Sequence, residues 1–78
     1  MADTVERRWI ILLREGQAPE VKRPVNTYRG MWEMLEEIYR LYPTIKVLSV
    51  EVTWDGQLWV CDGKEKLKSE GNDVPEIL

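Results

Sequence analysis

A single stretch of this 78-residue chain, residues 27–42, has the apolar spacing of an amphipathic α-helix. Its apolar side chains recur at intervals that place them on one stripe along a helix. They are Tyr28, Met31, Trp32, Leu35, Ile38, Tyr39 and Tyr42. Asn26 or Thr27 is suited to cap the first turn, and Pro43 ends the helix because proline has no N–H group to donate. The chain therefore has one helix with which to cover a sheet.

Two segments before the helix have features of β-strands. Residues 7–14 contain a contiguous apolar run, which is typical of a strand buried on both faces. In residues 17–25, two prolines exclude a central strand because each removes a backbone donor from the ladder. Two interpretations remain open there: a short edge strand near Glu20–Arg23, paired with the first strand, or an extended connection.

Residues 45–62 have the pattern of a β-hairpin around Asp55-Gly56, which suits a two-residue type I′ turn. That turn would place Trp54 opposite Gln57 and would set the faces of both strands. One face would collect Leu48, Val50, Val52, Trp54, Trp59 and Cys61, and the other Val47, Ser49, Glu51, Thr53, Leu58 and Val60. The first of these faces is predicted to pack against the helix.

The segments follow one another in the order β(β)αββ, which predicts a small single-domain α+β protein. One helix would pack on a three- to four-stranded, mainly antiparallel sheet within residues 7–62. Residues 1–6 are predicted to be a flexible start, and residues 63–78 a charged, solvated tail whose apolar end can dock on the sheet. Because one helix covers only one side of a sheet, the opposite side is expected to stay open and apolar.

The residue types in the chain exclude most catalytic and metal chemistry. With no histidine and one cysteine, the sequence lacks an imidazole base, a histidine-ligated metal and an intramolecular disulfide. The side chains of Glu33, Glu36 and Glu37 are spaced as a solvated helix face, and Cys61 is expected to be a small buried side chain. We therefore expect a protein that is not an enzyme and that binds no cofactor and no metal.

The charge and hydropathy of the chain bear on its surroundings. The longest apolar run has five residues, which is too short to cross a membrane. No export signal is found and the single cysteine fits a reducing compartment, so a cytoplasmic location is predicted. The net charge of −3 disfavours a nucleic acid or an anionic membrane as the partner.

The open side of the sheet is the predicted functional surface. It favours a small interaction or regulatory protein that contacts another protein, or a second copy of itself, through this face or through a free strand edge. The residues expected to make the contact are Trp54, Leu58, Val60, Glu51 and Thr53. Trp54, at the hairpin tip, is expected to be exposed, whereas Trp32 and Trp59 are expected to fill the core of a chain that has no phenylalanine.

A group of basic residues near the start of the chain supports an alternative function in nucleic-acid binding. Its members are Arg7, Arg8, Arg14, Lys22 and Arg23. They would form one basic pole for phosphate groups if the first strand and the following segment lie together. However, most aromatic residues fall on the predicted core face, so no surface for base stacking accompanies them.

Overall fold

The computed structural model describes residues 5–68, apart from the side chain of Glu6, and it confirms the α+β class. Its elements are β1 (Val5–Leu13), β2 (Glu20–Lys22), α1 (Tyr28–Leu41), β3 (Lys46–Thr53) and β4 (Leu58–Asp62). A short helix, α2, follows at residues 63–68. In this part of the chain the strands form one sheet in the order β2-β1-β3-β4, and each neighbouring pair is antiparallel. Of the two interpretations left open before the helix, the edge strand is therefore the one found.

The helix α1 begins at the cap that the sequence predicts. The Thr27 hydroxyl accepts a hydrogen bond from the Gly30 N–H at 2.9 Å, which makes Thr27 the N-cap. At the other end, the Tyr42 N–H donates to the Ile38 carbonyl at 2.8 Å and closes the last turn. A side chain at position 30 would clash with the Val25 carbonyl, so glycine allows the preceding loop to approach the helix closely.

The core lies between one side of α1 and one face of the sheet. Within the described residues, the fully or almost fully buried apolar side chains are Met31, Leu35 and Ile38 of α1, and Ile10, Leu12 and Val47 of the sheet. Partly buried against them are Met34, Tyr39, Ile45 and Leu67. The central strands β1 and β3 therefore supply the sheet side of the core.

The hairpin between β3 and β4 has a three-residue loop, so the predicted two-residue turn is wrong. The Thr53 N–H donates to the Gln57 carbonyl at 3.0 Å, which leaves Trp54, Asp55 and Gly56 in the loop. A type I′ turn needs positive φ at both central residues, whereas this class of three-residue loop needs it only at its last residue. Gly56 has a φ of +87°, and no described residue other than glycine has a positive φ.

The longer loop shifts the register of β4 by one residue. Val52 is paired with Leu58, and Val50 with Val60. The two-residue turn would have paired each of these valines with the next residue along β4. Because side chains alternate along a strand, the shift moves the side chains of β4 to the opposite face relative to β3. Leu58 and Val60 therefore share a face with Val50 and Val52.

The sequence predicts that α1 packs on the more apolar face of β3, but α1 packs on the opposite face. The prediction of the covered face is therefore wrong. We call the face under α1 the covered face; its members on the two central strands are Arg8, Ile10 and Leu12 of β1 and Val47, Ser49 and Glu51 of β3. Trp59 and Cys61 also belong to it because they pair with Glu51 and Ser49. Both are exposed, since they lie on the edge strand, and the prediction that they fill the core is wrong as well. Trp32 is half-buried.

The sequence predicts a solvated tail from residue 63, whereas residues 63–68 form α2 and rest against the core. Gly63 is buried, and Leu67 packs on the core cluster. The Lys66 ammonium lies 2.9 Å from a carboxylate oxygen of Glu51. Residues 69–78, including the apolar end predicted to dock on the sheet, lie outside the described residues, as does most of the predicted flexible start.

Candidate interaction surfaces

The side of the sheet that faces away from α1 is apolar on every strand, and we call it the open face. Alternation and register place on it Trp9, Ile11, Leu13, Val21, Leu48, Val50, Val52, Leu58 and Val60. Neither α1 nor α2 covers it, because both pack on the covered face. The side chains of Val21, Leu58 and Val60 are each more than half exposed. Contiguous apolar patches that stay exposed on a protein surface often mark contact sites.

Charged side chains lie at both ends of the open face, and one cation lies over it. At the hairpin end, Arg7 pairs with Val52 and is exposed on this face. Lys46 pairs with Leu13 and Asp62 with Leu48, so a cation and an anion lie on the same face at one end of the sheet. The Arg23 guanidinium lies over the Trp9 ring, 5.8 Å from its centroid. This cation–π contact places a positive charge over one aromatic ring of the open face.

Glu51, predicted to contact a partner, lies instead in a buried ion cluster with Arg8 and Lys66. The Arg8 side chain is 1% exposed, and its guanidinium lies 3.3 Å from one Glu51 oxygen. Lys66 approaches the other oxygen at 2.9 Å, and the Tyr28 ring lies 4.8 Å from the Arg8 guanidinium carbon. Two cations around one carboxylate satisfy a charge that would otherwise be costly to bury. Glu51 thus ties β3 to β1 and α2.

At the hairpin end of the sheet, two tryptophans border a hollow of about 580 Å³, which we call the tryptophan hollow. Its lining consists of Val5, Glu51, Thr53, Trp54, Asp55, Gln57 and Trp59. Trp54 is 72% exposed and Trp59 is 58% exposed, which confirms the expected exposure of Trp54. The hollow lies on the covered side of the sheet. Trp59 pairs there with Glu51, and Thr53, two residues further along β3, points to the same side.

The carboxyl group of Asp55 is held in its ionised form. The Thr53 hydroxyl donates a hydrogen bond to it, and this bond is the main cause that lowers the pKa of Asp55 below its usual range. The lining of the hollow contains two carboxylates and no lysine or arginine. Since Glu51 pairs with Arg8 and Lys66, the uncompensated charge of this aromatic hollow is that of Asp55.

The predicted contact residues divide between these two surfaces. Leu58 and Val60 lie on the open face, while Glu51, Thr53 and Trp54 line the tryptophan hollow on the opposite side. Sequence reasoning missed Trp59 as a member of the hollow. The signal that could have found it is Asp55-Gly56, since this dipeptide also suits a three-residue loop ending in glycine, and that loop puts Trp59 beside Glu51.

The basic residues predicted to form one pole lie on both sides of the sheet. Arg7 pairs with Val52 and lies on the open face. Arg8 is buried, and both Arg14 and Lys22 pair with Glu20, at 2.5 and 3.2 Å. Arg23 belongs to the open side of the sheet, over Trp9. The predicted pole is therefore divided, with Arg7 and Arg23 on the open side of the sheet and Arg8 and Lys22 on the covered side.

The remaining chemical groups that the sequence singles out can be placed as well. The Cys61 thiol is exposed, and its sulfur lies 3.1 Å from the Ser49 hydroxyl. In residues 5–68 no three histidine, cysteine, aspartate or glutamate side chains come close enough to hold a metal ion. No helix in the same residues is long and apolar enough to cross a membrane.

The fold and its surfaces define a small α+β protein with one helix-covered and one open sheet face. No protein-family model matches the chain, and neither the curated proteins nor the solved structures contain a significant match. Its function is therefore argued from its own surfaces.

Proposed function

We propose that this protein is a non-enzymatic interaction protein that associates with a second copy of itself through the open face. The observation that carries the proposal is the apolar composition of that face on all strands of the described sheet. Water is excluded most favourably when one apolar surface meets another of similar shape and size. A sheet face that packs on a second sheet face does this without any change in the backbone.

A second copy suits the open face because of where its charges lie. A twofold interface brings the same patch of both subunits together, so a charge near its centre would meet its own copy. The pair of Val50 and Val60 is flanked on β3 by the apolar Leu48 and Val52. The Arg23 guanidinium over Trp9 belongs to the residue that follows β2. At the border, Lys46 and Asp62 supply both signs, so that unlike charges can approach each other across the interface.

The free energy available from the open face is sufficient for association. About 400 Å² of apolar surface from each of two copies corresponds to roughly 20 kcal/mol before costs, at about 25 cal/mol per Å². Lost translational and rotational freedom opposes this by about 4–15 kcal/mol, and the ordering of side chains opposes it further. The remaining favourable balance is in the range of a reversible dimer.

The test is the mass of the full chain in solution, measured by light scattering over a range of micromolar concentrations. We expect a dimer, and we expect Val60→Lys to be a monomer because it places an ammonium group in the centre of the open face. The matched control is Val25→Lys, since Val25 is also an exposed valine but lies in the loop before α1. A full chain that is monomeric throughout, or a Val60→Lys variant that remains dimeric, contradicts the proposal.

We place this activity in the cytoplasm. The support is the free Cys61 thiol, which is exposed and for which the chain holds no second cysteine as a partner. Exposed unpaired thiols persist in reducing compartments and are oxidised outside them. Localisation of a tagged full chain by fluorescence microscopy tests the assignment.

A further inference from the structure

The tryptophan hollow has a chemistry that the open face does not use. The two surfaces lie on opposite sides of the sheet, because Trp59 pairs with Glu51 on the covered side. Association through the open face therefore leaves the hollow accessible. Exposure of the large apolar side chain of tryptophan to water is unfavourable. Two exposed tryptophans around one concavity are typical of a ligand site.

The indole rings suit one kind of ligand above others. Trp54 and Trp59 both line the hollow, and each is more than half exposed. The face of an indole ring carries negative electrostatic potential and attracts organic cations more strongly than other aromatic rings do. The volume of about 580 Å³ is within the range of small-ligand sites, although the site is open at the surface.

The charges of the lining select the same ligand. Glu51 already pairs with Arg8 and Lys66, so its carboxylate is compensated within the protein. Asp55 forms no ion pair with the described residues, and its carboxyl group accepts hydrogen bonds from the Thr53 hydroxyl and from the backbone N–H groups of Gln57 and Asp55 itself. A cation on the indole faces would meet the uncompensated charge of Asp55.

We propose that the tryptophan hollow binds an organic ammonium cation, stacked on Trp54 and Trp59 and neutralised by Asp55. Such a group is carried by a free small molecule or by the methylated lysine side chain of another protein. Both have the same recognition chemistry, a weakly hydrated cation with apolar substituents. This inference is independent of the dimer, since the open face contributes none of the lining.

The experiment is an NMR titration of the full chain that follows the indole N–H signals of its tryptophans. One probe is choline, and its neutral control is 3,3-dimethylbutan-1-ol, in which carbon replaces the ammonium nitrogen. We expect choline to shift the signals of Trp54 and Trp59 saturably and to leave those of Trp9 and Trp32 unchanged. Binding of the neutral control is expected to be about tenfold weaker.

The second arm distinguishes the two sources of the cation. The probes are a short peptide with one trimethyllysine and the same peptide with acetyllysine. Tighter binding of the trimethyllysine peptide than of choline assigns the site to a protein side chain, and the reverse order assigns it to a small molecule. Either order supports the ammonium site, whereas equal binding of charged and neutral probes in both arms overturns it.

Variants complete the test without loss of the fold. Asp55→Asn keeps a residue that suits the hairpin loop, and Trp59→Leu changes an exposed side chain. Each is expected to weaken choline binding by tenfold or more. The matched controls are Glu36→Gln and Tyr42→Leu, an exposed acid and an exposed aromatic outside the hollow. Val60→Lys should bind choline normally, so that failure of the dimer and failure of this site are distinguishable.

Discussion

The two faces of the sheet differ in polarity, and the difference is the reverse of the usual one, in which the more apolar face is buried. The covered face, under α1, contains Arg8, Ser49 and Glu51 among its buried side chains. The open face has apolar side chains on every strand, with Arg7, Lys46 and Asp62 at its ends, and has no described helix on top of it. The more polar face is the one that the helix buries.

The comparison teaches that apolar content alone does not decide which face of a sheet becomes the core. Polar groups are tolerated in a core when they satisfy one another. Here Glu51 pairs with Arg8 and Lys66, and the Ser49 hydroxyl has the Cys61 carbonyl within 3.4 Å. The open face needs no such partners, and its exposed apolar surface is available for a contact with a second molecule.

The largest effect on stability is expected from Glu51→Leu. This variant tests whether the buried charges of the covered face must pair with each other for the protein to be stable. It leaves Arg8 buried without its carboxylate, and loss of one partner of a buried ion pair costs about 3–5 kcal/mol. The measurement is urea unfolding followed by circular dichroism. Glu33→Leu is the control, because its pair with Arg29 is on the surface and is worth about 1 kcal/mol or less. Equal stability of the two variants would show that the ion cluster is dispensable.

The next largest effect on stability is expected from a comparison of two leucines, one in the core and one on the open face. Leu35→Ala removes a fully buried side chain from the core and should lower the free energy of unfolding by about 2–5 kcal/mol. Leu58→Ala, on the open face, should lower that of the monomer by less than about 1 kcal/mol, because this side chain is already 64% exposed. Unfolding at concentrations below those of dimer formation provides both values. If Leu58→Ala were as damaging as Leu35→Ala, the open face would be part of the core.

A smaller effect is expected at the loop that sets the register of β4. Gly56→Ala meets no neighbouring atom within 4 Å, so only its positive φ opposes the substitution, at about 1–2 kcal/mol. Gly56→Asn should be milder, since asparagine tolerates this conformation best among the other residues. Thermal unfolding of both variants checks the order. A stability of Gly56→Ala equal to that of the unaltered chain would argue against the three-residue loop and against the composition of the open face.

The smallest effect is the pH dependence contributed by Asp55 at the edge of the tryptophan hollow. Its pKa is lowered in the folded protein by the Thr53 hydroxyl, so the folded state binds a proton less readily than the unfolded state. Its contribution to stability is present above the ordinary aspartate pKa and is lost as the pH falls through the lowered value. Asp55→Asn should therefore lose less stability on acidification than the unaltered chain does. Parallel acid unfolding curves would contradict this.

Much of the secondary structure could be predicted from local patterns. The helical stripe predicted α1, and Thr27 is one of the two caps proposed for it. The prolines around β2 excluded a central strand, and of the two interpretations left open there the edge strand is found. The contiguous run in β1 correctly indicated apolar side chains on both faces. These features depend on neighbours in the sequence, and so the sequence is enough to find them.

The candidate surfaces could be predicted only in part. Trp54 is exposed as expected, but the sequence placed Glu51 and Thr53 on the same face as Leu58 and Val60. The error arose from one residue of loop length, because either loop is compatible with Asp55-Gly56. It also arose from the pairing of Glu51 with Arg8, which lies 43 positions away in the chain and has no local signal.

By itself, the sequence determined that one helix would cover one side of a small sheet and leave an apolar side open. It also determined what chemistry is absent, since no histidine and a single cysteine occur. Only the tertiary structure decided which face is covered, that α2 closes over Glu51, and that Trp59 joins Trp54 beside Asp55. The physical reason is that helix stripes and turns depend on adjacent residues, whereas the choice of face depends on strand register and on charges that meet only after folding.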